Sequence, residues 1–185
     1  MMIKIYTCQA MTGRYCDEMR NEAEMLKRVL GNYGFDILNP VLEENVPNEH
    51  VLLENVPVEK LEQYWRRDKE MIREADIVID YKTQNRSDGS NKEVGYNRFC
   101  LWKPTVRVWD GPGGLISRIE DDCVVAKLTD ALELINEKWG TYEKLGKWRL
   151  GLFERCFPNW LQYQIELAER YGVRDDIENS LVLRC

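Results

Sequence analysis

The tightest constraint in this chain is an alternation. Short apolar, β-favouring runs recur along it, and helical spacing fills most of the gaps between them. The first run lies within Met2 to Cys8 and carries Ile3, Ile5 and Tyr6. It ends at Gln9-Ala10-Met11-Thr12-Gly13-Arg14, where the glycine permits a tight turn. Met19, Ala23, Leu26, Leu30 and Tyr33 then recur at spacings of three and four, which predicts an amphipathic helix closed by Gly34. Phe35 to Leu38 resumes the extended pattern and stops at Asn39-Pro40. From there to about residue 58, Pro47, Pro57 and polar residues read as an irregular insertion over a site edge. Leu61, Tyr64, Trp65, Ile72 and Ala75 trace a second helical stripe, which runs directly into a buried strand, Asp76-Ile77-Val78-Ile79-Asp80.

The pattern repeats. A polar loop from Tyr81 to Ser90 leads into a helix from Asn91 to about Trp102, Pro104 to Trp109 is a strand, and Gly111 to Gly114 is a turn. Cys123 to Leu128 is a fifth strand, and Thr129 is positioned to cap a helix from Asp130 to about Trp139. Parallel neighbours need long crossovers, and helices supply them. The expected fold is therefore α/β: an open, mostly parallel five-stranded sheet, Rossmann- or flavodoxin-like, with helices on both faces. Residues 1–139 form that domain, and 140–185 read as a helical C-terminal extension rich in aromatics: Trp148, Phe153, Phe157, Trp160 and Tyr163.

Composition narrows the function. With 26 Lys and Arg against 32 Asp and Glu, the net charge of -6 opposes an electrostatic grip on a nucleic acid polymer. No apolar run approaches the roughly 20 residues that span a bilayer, so a soluble, cytoplasmic protein without membrane contact is expected. Six scattered cysteines and a single histidine, His50, give poor support to a zinc site or a Ser-His-Asp triad. The thiols read as reduced packing residues, and no metal or cofactor is expected.

In an open parallel sheet, ligands bind beyond the carboxyl ends of the strands. Two loops lead there, Gln9 to Tyr15 and Ser87 to Glu93. Between them lies a helix with an odd carboxylate: Asp68 falls three, four and seven residues after Trp65, Tyr64 and Leu61, so it points with the apolar stripe. Either it is a rim residue, paired with Arg66 or Lys69 or reaching solvent, or it is an acid whose pKa semi-burial raises. Glu93 likewise has two readings: an acid favoured by the helix dipole in a first turn, or a reactive carboxylate. Its company suits an anion site, because Ser87, Asp88, Gly89 and Ser90 offer hydroxyls, backbone N–H groups and a helix N-terminus. Arg14, beside Gly13, is either a solvated loop residue or a cation for the same anion.

These residues resemble the nucleoside 2-deoxyribosyltransferase superfamily, which includes the nucleoside 5'-monophosphate N-glycosidases. The resemblance covers about residues 3 to 139. It rests on Ile3-Lys4-Ile5-Tyr6 with Gly13-Arg14, on the stretch from Arg67-Asp68 to Ile79, and on Ser87-Asp88-Gly89-Ser90-Asn91-Lys92-Glu93-Val94-Gly95-Tyr96. It implies that Glu93 is a nucleophile, Asp68 a partner carboxylate at the scissile bond, and Tyr6 a hydroxyl that orients nucleophile or sugar. Six residues before that glutamate, the free-nucleoside transferases tend to carry Asp and the monophosphate hydrolases Ser. Ser87 stands there, and Asp88 would replace it after a one-residue shift of the loop. Arg14 matches a basic residue of the hydrolases.

The implied function is cleavage of an N-glycosidic bond, in a nucleoside or preferably its 5'-monophosphate, through a glycosyl-enzyme intermediate, with water or a second nucleobase as acceptor. A homodimer or higher homo-oligomer is implied too. Two rival readings are a nucleotide-binding sensor without turnover and an NAD glycohydrolase.

Overall fold

The computed structural model describes residues 2–9, 14–43, 56–81, 88–109 and 123–150. Residues 44–55 of the expected insertion, the Gly111–Gly114 turn and the tail beyond 150 lie outside the described residues. The chain divides into two compact units, Met1–Tyr142 and Glu143–Cys185.

In the first unit the alternation folds as an all-parallel sheet in the order β2-β1-β3-β4-β5. Its strands are β1 (Lys4–Gln9), β2 (Asp36–Leu38), β3 (Ile77–Tyr81), β4 (Thr105–Val108) and β5 (Cys123–Val125). The chain leaves β1 for β2 on one side and returns to place β3 on the other, so the switch point lies between β1 and β3.

The helices are α1 (Cys16–Asn32), a short α2 (Pro40–Glu43), α3 (Val58–Glu74), α4 (Asp88–Tyr96) and α5 (Leu128–Trp139). Burial of Cys16, Met19, Ala23, Leu26 and Leu30 fixes the face of α1, as the three-and-four spacing requires. Each fully buried Leu contributes about 1.5–3 kcal/mol. Its end is a Schellman turn: Phe35 N–H donates to Leu30 O and Gly34 N–H to Gly31 O, with Gly34 at φ 79°.

Three boundaries differ from expectation for local reasons. Asn39-Pro40 starts α2 instead of only breaking the strand, because Asn39 Oδ1 accepts from Val41 N–H at 2.8 Å and proline suits a first helical position. The helix after the polar loop begins earlier, at Asp88, and ends in a wide π-type turn over Asn97–Leu101, after which Trp102 adopts φ 55°. Helix α5 starts at Leu128 behind Lys127, not behind Thr129. The Thr129 hydroxyl lies inside the first turn and donates to the Asp130 carboxylate at 3.3 Å.

One long-range lock holds α3. Lys103, buried just before β4, donates from Nζ to the carbonyls of Ile72 at 2.8 Å, Arg73 at 2.5 Å and Ala75. A cation at the negative end of a helix satisfies carbonyls left without an intrahelical donor. In the second unit, residues 143–150 are helical and Lys147 pairs with Glu143 at 2.6 Å. No described helix is long and apolar enough to cross a membrane.

Candidate active site

Side chains alternate along β1, so Tyr6 and Cys8 share one face and Thr7 and Gln9 the other. Tyr6 and Cys8, both fully buried, pack with Met71, Ile72, Val78 and Val94. Helices α3 and α4 therefore cover that face. Glu93, one residue before Val94, is 6% exposed, and Asp68, one turn before Ile72, is 5% exposed. Periodicity placed Asp68 with the apolar stripe, and it is buried there. Its partner is neither Arg66 nor Lys69: Arg67 Nη2 meets Asp68 Oδ1 at 2.7 Å, while the same guanidinium stacks on Tyr64, 5.4 Å from the ring centre.

The electrostatics tie these groups together. Burial, then the Asp68 charge, lifts the Glu93 carboxyl from 4.5 to about 8; Asp80 adds to this, while the Cys8 thiol and the Tyr6 hydroxyl act in the opposite sense. Burial, then the charges of Glu93 and Asp68, pushes the Tyr6 phenol well above its ordinary value. The Cys8 thiol rises through burial, then Glu93 and Asp80. Tyr6 Oη and Glu93 Oε2 are buried without a hydrogen-bond partner among the described residues, so phenol and carboxylate act on one another by proximity and no well-formed bond joins them. The acid that burial lifts is Glu93.

Beneath this cluster the same face of the sheet carries an ion pair that the sequence reading missed. Asp80 lies in register with Cys8 on one side and Arg107 on the other, and Arg107 Nε donates to Asp80 Oδ2 at 2.9 Å with both side chains buried. The available signal was an acid and a base inside apolar strand runs, where charge is tolerated only when paired.

The anion-site residues divide. Ser87 and Gly13 lie outside the described residues, as does the side chain of Asp88, whose backbone opens α4. Gly89 is exposed in the first turn of α4, and Ser90 is buried, its carbonyl accepting from Cys8 Sγ at 3.6 Å. Arg14 is no solvated residue: its Nη1 meets Glu22 Oε2 at 2.7 Å, and Gln9 Nε2 donates to the same oxygen at 2.6 Å. Asn39 Nδ2 extends this polar chain to Gln9 Oε1 and Thr7 Oγ1, both at 2.6 Å. Arg14 is thus fastened to the Thr7/Gln9 row, not to the Tyr6/Cys8 row that meets Glu93. Among the described residues, no group of three or more His, Cys, Asp or Glu side chains could hold a metal ion.

A 2-deoxyribosyltransferase from Bacillus psychrosaccharolyticus superposes with a TM-score of 0.55 at 20% identity, over 77% of this chain and 95% of the other. The chain shares the fold of that enzyme. A conserved protein from Enterococcus faecalis V583 superposes with a TM-score of 0.53 at 14% identity, over 74% of this chain and 99% of the other. The CMP N-glycosidase BcmB of Clostridium botulinum gives a TM-score of 0.46 at 15% identity, over 72% and 98% of the two chains. No family model and no curated protein matches the sequence.

Proposed function

We propose that this chain cleaves the N-glycosidic bond of a (deoxy)nucleoside or, by preference, of its 5'-monophosphate. The observation that carries this reading is the gathering of Glu93, Asp68 and Tyr6, from α4, α3 and β1, into one buried, mutually interacting cluster. The fold shared with a 2-deoxyribosyltransferase supports it.

In the first step Glu93 Oε2 attacks C1' as the C1'–N bond breaks and its electron pair leaves with the base. The anionic oxygen stabilises the oxocarbenium-like carbon and closes an ester. Proton accounting suits this arrangement: Glu93 must lose a proton to attack, and the base must gain one to leave, with Asp68 as the relay. The net charge of the site then stays constant through the step. Water or a second base attacks C1' in the second step and frees Glu93. Tyr6 orients the nucleophile or the sugar. Ser87, Asp88, Gly89 and Ser90, with Gly13 and Arg14, hold the 5' end of the substrate. This catalytic part is residues 1–139, with 140–185 as an appended helical extension, and the protein works as a homo-oligomer.

The test is release of free base from deoxynucleosides and from their 5'-monophosphates. Faster release from the monophosphates is expected, and Ser87→Asp should reverse that preference. Binding without any release would replace the reading with a sensor, and nicotinamide released from NAD would replace it with a glycohydrolase.

A further inference from the structure

Cys8 is a buried nucleophile that the mechanism above does not use. It is 0% exposed in the middle of the site face, with Tyr6 two residues before it and Asp80 beside it on β3. Packing alone would be served as well by alanine or valine, yet two polar groups from α4 converge on the sulfur. The Ser90 carbonyl stands 3.6 Å from Sγ, and Glu93, one turn further along the helix, interacts with the thiol while its Oε2 is buried without a partner among the described residues. A thiol has one hydrogen to give. Directed at a backbone carbonyl, it satisfies that carbonyl and leaves a lone pair of sulfur facing the carboxyl, which suits a protonated acid. Once the carboxyl is ionised, the stronger acceptor is the carboxylate, because hydrogen bonds to charged oxygen are roughly twice as strong as neutral ones.

We propose that Cys8 is a positioning residue for Glu93: its S–H donates to the Ser90 carbonyl while Glu93 is protonated and rotates to the carboxylate when Glu93 ionises. The proton stays on sulfur throughout, and no covalent bond is made or broken. With Tyr6, the thiol then holds the carboxylate from β1 in the attacking orientation. The inference rests on the reading of Glu93 as nucleophile. The charged and titratable groups facing Glu93 and Cys8 are Tyr6 on β1, Asp80 on β3 with its partner Arg107 on β4, and Asp68 with Arg67 on α3. Their charges are the same in the variants below.

The test compares Cys8→Ala, which removes the donor, with Cys8→Ser, which keeps one, in the full chain. A lost neutral donor to a carboxylate corresponds to about a tenfold loss. Cys8→Ala should lower kcat about tenfold with KM changed less than about twofold, and should move the fall of kcat/KM to higher pH; Cys8→Ser should recover most of both. Unchanged kinetics in Cys8→Ala, or equal losses in both variants, would overturn the proposal. In unmodified protein, the infrared S–H stretch of one buried cysteine should shift to lower frequency as the Glu93 carboxyl titrates. A band fixed through that titration overturns the proposal without any substitution. Turnover retained in Glu93→Gln would sink the catalytic reading instead, and the infrared result would still decide the contact.

Discussion

Replacing Glu93 with glutamine should make the protein more stable and inactive at once, and the stability gain should depend on pH in a fixed way. Burial and the Asp68 charge hold the Glu93 carboxyl at about 8, against 4.5 for an unburied glutamate. Between those values the folded chain keeps a proton that the unfolded chain has released. The stability contributed by this group is therefore full below about 4.5, declines as pH rises toward about 8, and levels off above that. The displacement, at about 1.4 kcal/mol per pH unit, sets a ceiling of about 5 kcal/mol, and relaxation around the ionised group reduces this to about 2–4 kcal/mol. Glutamine keeps the shape of the protonated acid and cannot ionise. Chemical denaturation followed by tryptophan fluorescence at several pH values should show the variant close to wild type near pH 5 and about 2–4 kcal/mol more stable at pH 9. A difference that stays flat from pH 5 to 9, or a variant less stable than wild type at pH 9, would refute the account of Glu93 as a strained buried acid. Base release should fall by more than about a thousandfold in the same variant.

Three further outcomes follow from the same structure. For the unmodified protein, kcat/KM should stay level below about 8 and fall above it, because the proton that Glu93 gives up through Asp68 is the one the leaving base takes; a rate that keeps rising from pH 6 to 9 would remove that proton from the mechanism. Lys103→Met keeps the aliphatic stem but leaves the last carbonyls of α3 without their cation, so denaturation midpoints should report a loss of about 2–3 kcal/mol, and a loss below about 0.5 would deny the lock. Arg107→Met removes the guanidinium paired with the buried Asp80 carboxylate and should cost about 3–5 kcal/mol, whereas adding Asp80→Asn to it should return part of that stability; strictly additive losses would show that the two side chains do not interact.

The sheet was legible because its strands are short, apolar and spaced by helices, and the parallel crossover rule then leaves few arrangements. Asp68 was legible as a buried acid because helical periodicity is a local property of the sequence. Its pairing with Arg67 was not, since adjacent residues on a helix point apart and only a long side chain folded over Tyr64 closes the gap. The Asp80–Arg107 pair depends on the register between β3 and β4, which no local pattern states. The pKa of Glu93 depends on what packs over it from α3 and β1, so the sequence could nominate the residue without giving its protonation state. Arg14 illustrates the same limit, because its anchor Glu22 lies two turns into α1, where acidic residues usually meet water.

Strand β1 divides its side chains between two tasks. Tyr6 and Cys8 meet Glu93, and Thr7 and Gln9 join Asn39, Glu22 and Arg14 on the reverse side. Deleting a single residue inside 4–9 would exchange the two rows, presenting an amide to the acid of α4 and a phenol to the guanidinium of Arg14. Lineages of this protein should accordingly accommodate changes of length after Gln9, while the six-residue strand itself keeps its reading frame.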